Sequence, residues 1–392
     1  MESRGDPGEL NSGQWLAVHR PGVVHHVLAR VGGCVVDECH EVPVVLILGT
    51  GSRGEHGLGT APALTLEQAS GQADPAKAGP ITFTLSANEA LDAATVTASD
   101  FTATGGTLGT ISCSGASCTI PVTPSAQGTV SIAPSGTFSV TDTAGNATTT
   151  AGGTDRTVTY DTVVPTATVT APASPTNATS PTFTVTFSET VSGLAAGDFT
   201  TSGTATGCVI GTPSAASGTS MTVSVSGCSE GTLGLTLAAN GVTDTAGNTG
   251  PAANASSSTI TIDRTAPTAS FTASPATPNK ATSLAYTLTF SKAVSGLSAS
   301  DFQVSGTSTG CTITPSASSG TTFTITLTTC SEGTATLALK ASTVIIDAAG
   351  NTGPTSAVSA STINFCFASS RMVRRPVRFF GFAGCCSVMF LV

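Results

Sequence analysis

Apolar residues alternate with threonine and serine along most of residues 61–365, at the period of two that is typical of strands with one face in a core. The alternation is clearest in Thr182–Phe187, where Phe183, Val185 and Phe187 are separated by threonines. About seven such strands in roughly 100 residues, with turn signals between them, are typical of a sandwich of two sheets. Within the roughly 100 residues around Thr182–Phe187, further strands are predicted at Thr166–Ala171, Ser220–Ser226, Thr232–Leu237 and Ser258–Asp263.

A five-residue phrase recurs at Asp142–Asn146, Asp244–Asn248 and Asp347–Asn351, in steps of 102 and 103 residues. It reads Asp-Thr-Ala-Gly-Asn in the first two copies and Asp-Ala-Ala-Gly-Asn in the third. Because this period is the size of a small domain rather than of a solenoid unit, it predicts tandem copies of one domain. An Asp-Phe pair keeps nearly the same spacing and begins at Asp100, Asp198 and Asp301.

The predicted organisation has three modules between two irregular segments. The segments are residues 1–61 and 365–392, and the modules are module 1 (62–163), module 2 (164–265) and module 3 (266–364). The modules meet at Asp161–Pro165 and Asp263–Pro267, where proline fixes φ and stiffens the chain, so a rod is expected. The repeated phrase is expected to be a turn, since Gly and Asn tolerate φ > 0 and Asp bonds nearby backbone.

Composition supports an all-β fold and excludes several classes of function. Charged residues make up 9% and aromatic residues 5% of the chain. Lys and Glu are therefore too scarce to cover the exposed faces of long helices. The chain has a net charge of −9, and residues 61–365 hold six basic and sixteen acidic residues, which argues against nucleic-acid binding. A Ser-His-Asp triad or a histidine metal centre cannot form within the modules, because every histidine precedes them. The histidines are His19, His25, His26, His40 and His56.

Six of the eleven cysteines fall in the modules, one pair in each. The pairs flank Gly115, Gly218 and Gly320, and each predicts a β-hairpin with a glycine in its turn and cysteines facing across its strands. A disulfide there contributes about 3 kcal/mol and indicates an oxidising compartment. The alternative is a pair of buried free thiols, whereas zinc would lack ligands. The predicted disulfides are Cys113–Cys118, Cys208–Cys228 and Cys311–Cys330.

Four aspartates near the predicted joints and turns are candidate ligands for a structural calcium ion. They are Asp161, Asp244, Asp263 and Asp347. Carboxylate oxygens are hard ligands that suit Ca²⁺, although about six to eight oxygens must converge on one ion. No other cofactor is expected.

Several phrases together resemble the bacterial immunoglobulin-like repeats of large surface adhesins and biofilm-associated proteins. They are Gln68–Pro75, Phe187–Leu194 followed by Asp198-Phe199, the Gly-Asn that ends each repeated phrase, and the joint Ile262–Pro267. The resemblance covers about residues 62–364. It implies sandwich modules joined into a rod that projects a binding tip from the cell, with Ca²⁺ near some joints. It supplies no catalytic residues.

The sequence thus predicts a non-catalytic, extracellular or cell-surface protein with a structural and adhesive role. Its expected ligand is an unidentified surface protein or glycan, and it is expected to be a monomeric rod or part of a longer chain. The alternatives are an accessory region of a larger secreted enzyme and a carbohydrate-binding module, which would need Tyr160 and Tyr286 as its aromatic platform. No secretion-signal pattern begins at Met1, and the apolar stretch Phe379–Val392 is shorter than the about 20 residues that span a bilayer.

Overall fold

The computed structural model describes residues 59–342 and 344–366. The predictions for the two terminal segments therefore lie largely outside the described residues. Within these ranges every element is a β-strand apart from four short 3-10 helices, so the predicted all-β class is confirmed. None of the described helices is long and apolar enough to cross a membrane. The 3-10 helices are Ala93–Thr95, Ala98–Asp100, Ala196–Asp198 and Ala299–Asp301.

Module 1 contains two antiparallel sheets and a short ribbon. Its strands are β1 (Leu64–Gln68), β2 (Ile81–Ala87), β3 (Phe101–Thr104), β4 (Gly106–Leu108), β5 (Ser112–Ser114), β6 (Ser117–Pro124), β7 (Gly128–Pro134), β8 (Val140–Thr141), β9 (Ala147–Thr148) and β10 (Thr157–Tyr160). One sheet has the order β1-β2-β6-β4 with β5 also on β6, and the other has the order β10-β7-β3. Strands β8 and β9 form the ribbon that holds the first copy of the repeated phrase.

Module 2 repeats this plan with a longer second strand. Its strands are β11 (Ala167–Thr170), β12 (Thr182–Ser192), β13 (Phe199–Ser202), β14 (Val209–Ile210), β15 (Ser217–Ser226), β16 (Gly231–Leu237), β17 (Val242–Asp244), β18 (Thr249–Gly250), β19 (Ala255–Ser256) and β20 (Ile260–Ile262). The first sheet has the order β14-β15-β12-β17-β18 with β11 also on β12. The second has the order β13-β16-β19 with β20 also on β16.

Module 3 follows module 2 closely. Its strands are β21 (Ala269–Ala273), β22 (Ser283–Ser295), β23 (Phe302–Gly306), β24 (Thr312–Pro315), β25 (Ser319–Thr328), β26 (Gly333–Leu339), β27 (Ile346–Asp347), β28 (Val358–Ser359) and β29 (Ile363–Phe365). The first sheet has the order β21-β22-β25-β24 with β27 also on β22. The second has the order β23-β26-β28 with β29 also on β26.

Each module closes over a core of its own. The three apolar clusters lie within residues 64–160, 167–262 and 269–365. Phe83, Phe183 and Tyr286 occupy the same place in the long second strand of each module, and all three are fully buried. They face Ile120, Val223 and Ile325 respectively across the neighbouring strand. The alternation in the sequence thus places one aromatic ring at the centre of each sandwich.

The second strand is longer than the sequence predicts. The predicted strand Thr182–Phe187 continues to Ser192 as β12, and its register with β15 shifts between Thr186 and Val191. Beyond the shift, Val191 lies opposite Asp244 of β17, so the repeated phrase begins against this strand. Strand β22 has the same shift, and Val294 lies opposite Asp347. The interruption of the alternation at Ser188 therefore marks an irregularity within a strand rather than its end.

The predicted hairpins differ between modules in where their glycine lies. In module 1 Gly115 lies in the turn between β5 and β6, where Cys113 and Cys118 face each other. In module 2 Gly218 is already part of β15, paired with Val191. Gly320 has the same place in module 3. These two glycines adopt φ near +137° and +139°, a backbone region that favours glycine.

Candidate functional site

The repeated phrase is a turn, and its first and last residues fix its shape. In module 2 the backbone N–H of Asn248 donates to Asp244 Oδ1 at 2.8 Å, and its side-chain Nδ2 donates to Asp244 Oδ2 at 2.8 Å. Asn351 makes the same two bonds to Asp347, at 2.9 and 3.0 Å. Between them, Gly247 adopts φ of +89°, which a residue with a side chain rarely adopts. The turn predicted from the phrase is therefore present.

The same asparagine also binds the linker that precedes its module. Asn248 Nδ2 donates to the backbone oxygen of Asp161 at 2.9 Å. At the next linker Asn351 Nδ2 donates to the backbone oxygen of Asp263, again at 2.9 Å. Nothing in the sequence indicates this contact, because the two partners are 87 residues apart at the first linker and 88 at the next. In modules 2 and 3 the phrase is thus a clasp that fastens the module to the chain entering it.

The preceding module touches this turn as well. Lys77 of module 1 donates through Nζ to the backbone oxygen of Gly247 at 2.7 Å. At the equivalent place in module 2, the backbone N–H of Asn177 donates to the oxygen of Ala349 at 3.1 Å. We call these two assemblies the first joint (linker Asp161–Pro165) and the second joint (linker Asp263–Pro267).

Close packing of the linker prolines completes each joint. A Cβ atom added at Gly250 would lie 2.4 Å from the backbone oxygen of Pro165. The same distance separates a Cβ at Gly353 from the oxygen of Pro267. Only glycine allows this approach without moving the linker, so both joints depend on a glycine just after the phrase.

Three carboxylates converge at the first joint. One oxygen each of Asp161, Glu189 and Asp244 lies within 4.8 Å of the others. Asp161 comes from the linker, Glu189 from the register shift of β12, and Asp244 from the start of the clasp. Asp244 is 5% exposed, whereas the other two are half-buried. Burial raises the pKa of Glu189, and the negative charges of Asp161 and Asp244 raise it further.

A lysine takes the position of Glu189 at the second joint. Lys292 Nζ lies 2.6 and 2.7 Å from the two carboxylate oxygens of Asp263 and 3.2 Å from Asp347 Oδ2. It also donates to the backbone oxygen of Thr265 at 2.5 Å. Burial by itself raises the pKa of Asp347, but hydrogen bonds from Asn351 and Lys292 outweigh it and leave this pKa below its usual value. The pKa of Lys292 is raised in turn. Burial by itself lowers this pKa, but hydrogen bonds to Asp263 and Asp347 and the negative charges of these two residues outweigh burial.

The four predicted calcium ligands therefore divide into two pairs, one at each joint. The structure brings Asp161 to Asp244, and it brings Asp263 to Asp347. The residue that decides the chemistry of each pair, Glu189 or Lys292, was missed by sequence reasoning. A signal was present, because the phrases Phe-Ser-Glu and Phe-Ser-Lys align and reverse charge at one position.

The donor set fits a hard divalent cation at the first joint only. Three carboxylates supply oxygen alone, which is the ligand type that Ca²⁺ prefers. Three like charges at such short range repel one another unless a cation lies among them. At the second joint an ammonium group already lies between the two aspartates.

The six module cysteines are joined as the sequence predicts. The Sγ–Sγ distances are 2.07 Å for Cys113–Cys118, 2.07 Å for Cys208–Cys228 and 2.12 Å for Cys311–Cys330. Each disulfide closes within one module rather than across a joint. Bonds of this type persist in oxidising compartments.

The aromatic platform that a carbohydrate-binding module would need does not form at the tyrosines. Tyr286 is fully buried within the core of module 3. Tyr160 is half-buried and packs against the core of module 1.

A family model for the bacterial Ig-like domain matches residues 161–262 and 263–364 in tandem, which is half of the chain. The chain belongs to the bacterial Ig-like domain family. Both Ig-like matches begin at a linker aspartate, Asp161 or Asp263. The family match therefore assigns Asp161 and Asp263 to the Ig-like unit that follows the linker, whose clasp binds that aspartate. The three sandwiches confirm the predicted series of Ig-like modules, while the module boundaries stay predictions.

Several solved structures of bacterial proteins are similar to the chain in fold. The chain is similar to FdeC, an Escherichia coli adhesin, at 14% identity and a TM-score of 0.40, over 79% of this chain and 99% of that one. It is similar to invasin, a bacterial integrin-binding protein, at 12% identity and a TM-score of 0.34, over 78% and 60%. Yersinia pseudotuberculosis InvD matches at 14% identity and a TM-score of 0.33, over 78% and 98%. No curated protein sequence matches the chain.

Proposed function

We propose that the chain is a non-catalytic rod, located outside the cell or at its surface, with a structural and adhesive role. Its Ig-like modules hold an exposed binding site away from the surface, and its ligand is a surface protein or a glycan. Repetition of modules adds avidity where several weak sites act together. Membership in the bacterial Ig-like family supports this role, and the disulfides support an oxidising location.

One observation carries the proposal: both joints are built in the same way. Asn248 and Asn351 clasp the linker, and each turn also contacts the module before it. A freely flexible string of domains would not need such contacts, because its linkers would be polar and extended. Repeated contacts of one kind restrict the angle between neighbours and stiffen the chain.

The first joint is the place where a metal ion would act. Asp161, Glu189 and Asp244 are the residues that would hold Ca²⁺, and the ion would supply charge compensation and link the linker to module 2. No catalytic step is assigned to it. Linking residues 161, 189 and 244 through one ion would restrict the angle between modules 1 and 2.

Small-angle X-ray scattering of the whole chain tests the rod. We expect an elongated particle in 1 mM CaCl₂ and a shorter mean length after EGTA is added, since the first joint then loosens. A compact particle in calcium would contradict the rod. A profile that is elongated and unchanged by EGTA would contradict the calcium site alone.

Adhesion needs a separate experiment. The chain displayed on a non-adherent bacterium is expected to increase attachment to wells coated with matrix proteins or glycans. Attachment no greater than that of cells displaying an unrelated Ig-like rod would contradict an adhesive role.

A further inference from the structure

The two joints carry opposite charges at one equivalent position. Glu189 and Lys292 each lie in the register shift of the long second strand, two residues before the valine that faces the clasp. Those valines are Val191, opposite Asp244, and Val294, opposite Asp347. The strand geometry therefore aims both side chains at the same place, between the linker and the clasp.

The residues that supply oxygen atoms around that position also correspond between the two joints. At the second joint the Lys292 ammonium contacts both carboxylate oxygens of Asp263, one of Asp347 and the backbone oxygen of Thr265. The corresponding residues at the first joint are Asp161, Asp244 and Val163. The second joint thus shows what this set of oxygens does: it holds a cation.

We infer that Lys292 is a built-in cation, which does at the second joint what a bound divalent cation does at the first. This inference rests on the calcium site proposed for the first joint. Charge supports it, because a divalent cation among three carboxylates and an ammonium between two carboxylates both leave one net negative charge. The second joint is then fixed at any calcium concentration, and the first joint is fixed only when the ion is bound.

The rod therefore has one joint that calcium controls and one that it does not. Removing the metal loosens the chain between modules 1 and 2 while modules 2 and 3 stay fastened. Whether a joint needs calcium depends on one side chain, Glu189 or Lys292, since the linker aspartate and the clasp are common to both joints.

Exchange of the two side chains tests the inference. Titration with CaCl₂ alone, after treatment with EGTA, is expected to give one bound ion for the wild-type chain, two for Lys292→Glu and none for Glu189→Lys. The double variant is expected to bind one ion, now at the second joint. Lys280→Glu, an exposed site at the far end of module 3, is the charge-matched control and is expected to leave one ion.

Amide hydrogen exchange reports each joint separately. The N–H of Val163 donates to Asp161 Oδ1 at 3.0 Å, and the N–H of Thr265 donates to Asp263 Oδ1 at 3.1 Å. In the wild type, EGTA is expected to speed exchange at Val163 at least tenfold and to leave Thr265 unchanged. In Glu189→Lys, Val163 is expected to stay protected in EGTA. Lys292→Gln, which removes the ammonium without adding an acid, is expected to expose Thr265.

The outcomes separate this inference from the proposed calcium site. A wild type that binds no calcium, with Val163 protected in Glu189→Lys, would overturn the calcium site and still support the lysine as a joint cation. Val163 equally exposed in Glu189→Lys and in the EGTA-treated wild type would overturn the inference. So would Lys292→Gln with Thr265 as protected as in the wild type.

Discussion

Asn248 donates its side-chain amide to the backbone oxygen of Asp161, 87 residues earlier in the chain. This bond joins the turn of module 2 to the first residue of the linker that enters it. The same amide also bonds Asp244 within the turn, so one side chain both shapes the clasp and closes it. Loss of that side chain should affect the turn and the joint together.

We expect Asn248→Ala to release the linker. Two hydrogen bonds of the side chain are lost, at about 1 kcal/mol each. Faster amide exchange at Val163 is the measurement. Asn254→Ala is the control, because it removes a side-chain bond to Ala239 inside module 2 and should leave the linker protected. Equal protection in Asn248→Ala and the wild type would show that the clasp contributes nothing.

Gly250→Ala should open the first joint by steric conflict. The added Cβ would approach the oxygen of Pro165 to 2.4 Å, so the linker must move. Scattering is expected to show a shorter mean length than for the wild type in calcium. Gly197→Ala is the matched control, since a Cβ there meets no atom of the described part of the chain within 4 Å. A Gly250→Ala chain as long as this control would argue against close packing of the linker.

The first joint should respond to pH in the absence of metal. The folded state raises the pKa of Glu189 above its ordinary value of 4.5, so ionisation of this group costs stability. The favourable contribution is complete below pH 4.5 and is lost as pH rises through the raised pKa. In EDTA at pH 7, Glu189→Gln should therefore melt at a higher temperature than the wild type, with the difference vanishing below pH 4.5.

Asp155→Asn is the control for that comparison, because this exposed aspartate lies outside the joints. It should melt like the wild type throughout the pH range. The second joint changes in the opposite direction: the lowered pKa of Asp347 gives stability above pH 3.8 that is lost as pH falls through the folded value. That loss is common to all three proteins and cancels. A Glu189→Gln chain less stable than the wild type at pH 7 would contradict carboxylate repulsion.

Tyr286→Phe should stabilise module 3. The Tyr286 hydroxyl is buried and has no hydrogen-bond partner among the described residues, whereas Phe183 fills the equivalent place in module 2. Removing the unpaired hydroxyl is expected to raise the free energy of unfolding by about 1 kcal/mol. Thermal unfolding measures it, with the half-buried Tyr160→Phe as a control that should change little. A lower melting temperature for Tyr286→Phe would show that the hydroxyl is satisfied in solution.

The disulfides should contribute according to the length of loop they close. Cys208–Cys228 spans 20 residues and Cys113–Cys118 spans 5. The chain-entropy relation gives about 3 kcal/mol for the first and about 2 kcal/mol for the second. Double serine variants of each pair, compared by thermal unfolding, are expected to follow this order. The reverse order would mean that strain or residual structure dominates.

Much of the fold could be predicted because its signals are local. The alternation around Phe183 depends on neighbouring residues, and the repeated phrase carries its own turn chemistry in Asp, Gly and Asn. The predicted strand ended too early at Phe187 because the register shift of β12 interrupts the alternation without ending the pairing. Glu189 lies inside that interruption, beyond the end of the predicted strand.

The joints could not be predicted for a different reason. Asn248 and Asp161 belong to different parts of the chain, and nothing near either residue shows that they meet. The four aspartates were found because acids near joints suit calcium, yet their grouping into pairs depends on tertiary structure. The charge reversal between Glu189 and Lys292 was visible in the sequence, but its meaning depends on knowing that both positions face a clasp.

Glutamate and lysine codons differ by a single first-position base, and this gives the charge reversal an evolutionary consequence. In an array built from copies of one module, a point substitution at this position converts a metal-dependent connection into a permanent one, or the reverse. Every copy can change independently, because the deciding side chain sits inside its own module. The positions of flexible joints along such an array are therefore heritable and separately adjustable, without insertion, deletion or any alteration of the sandwich itself.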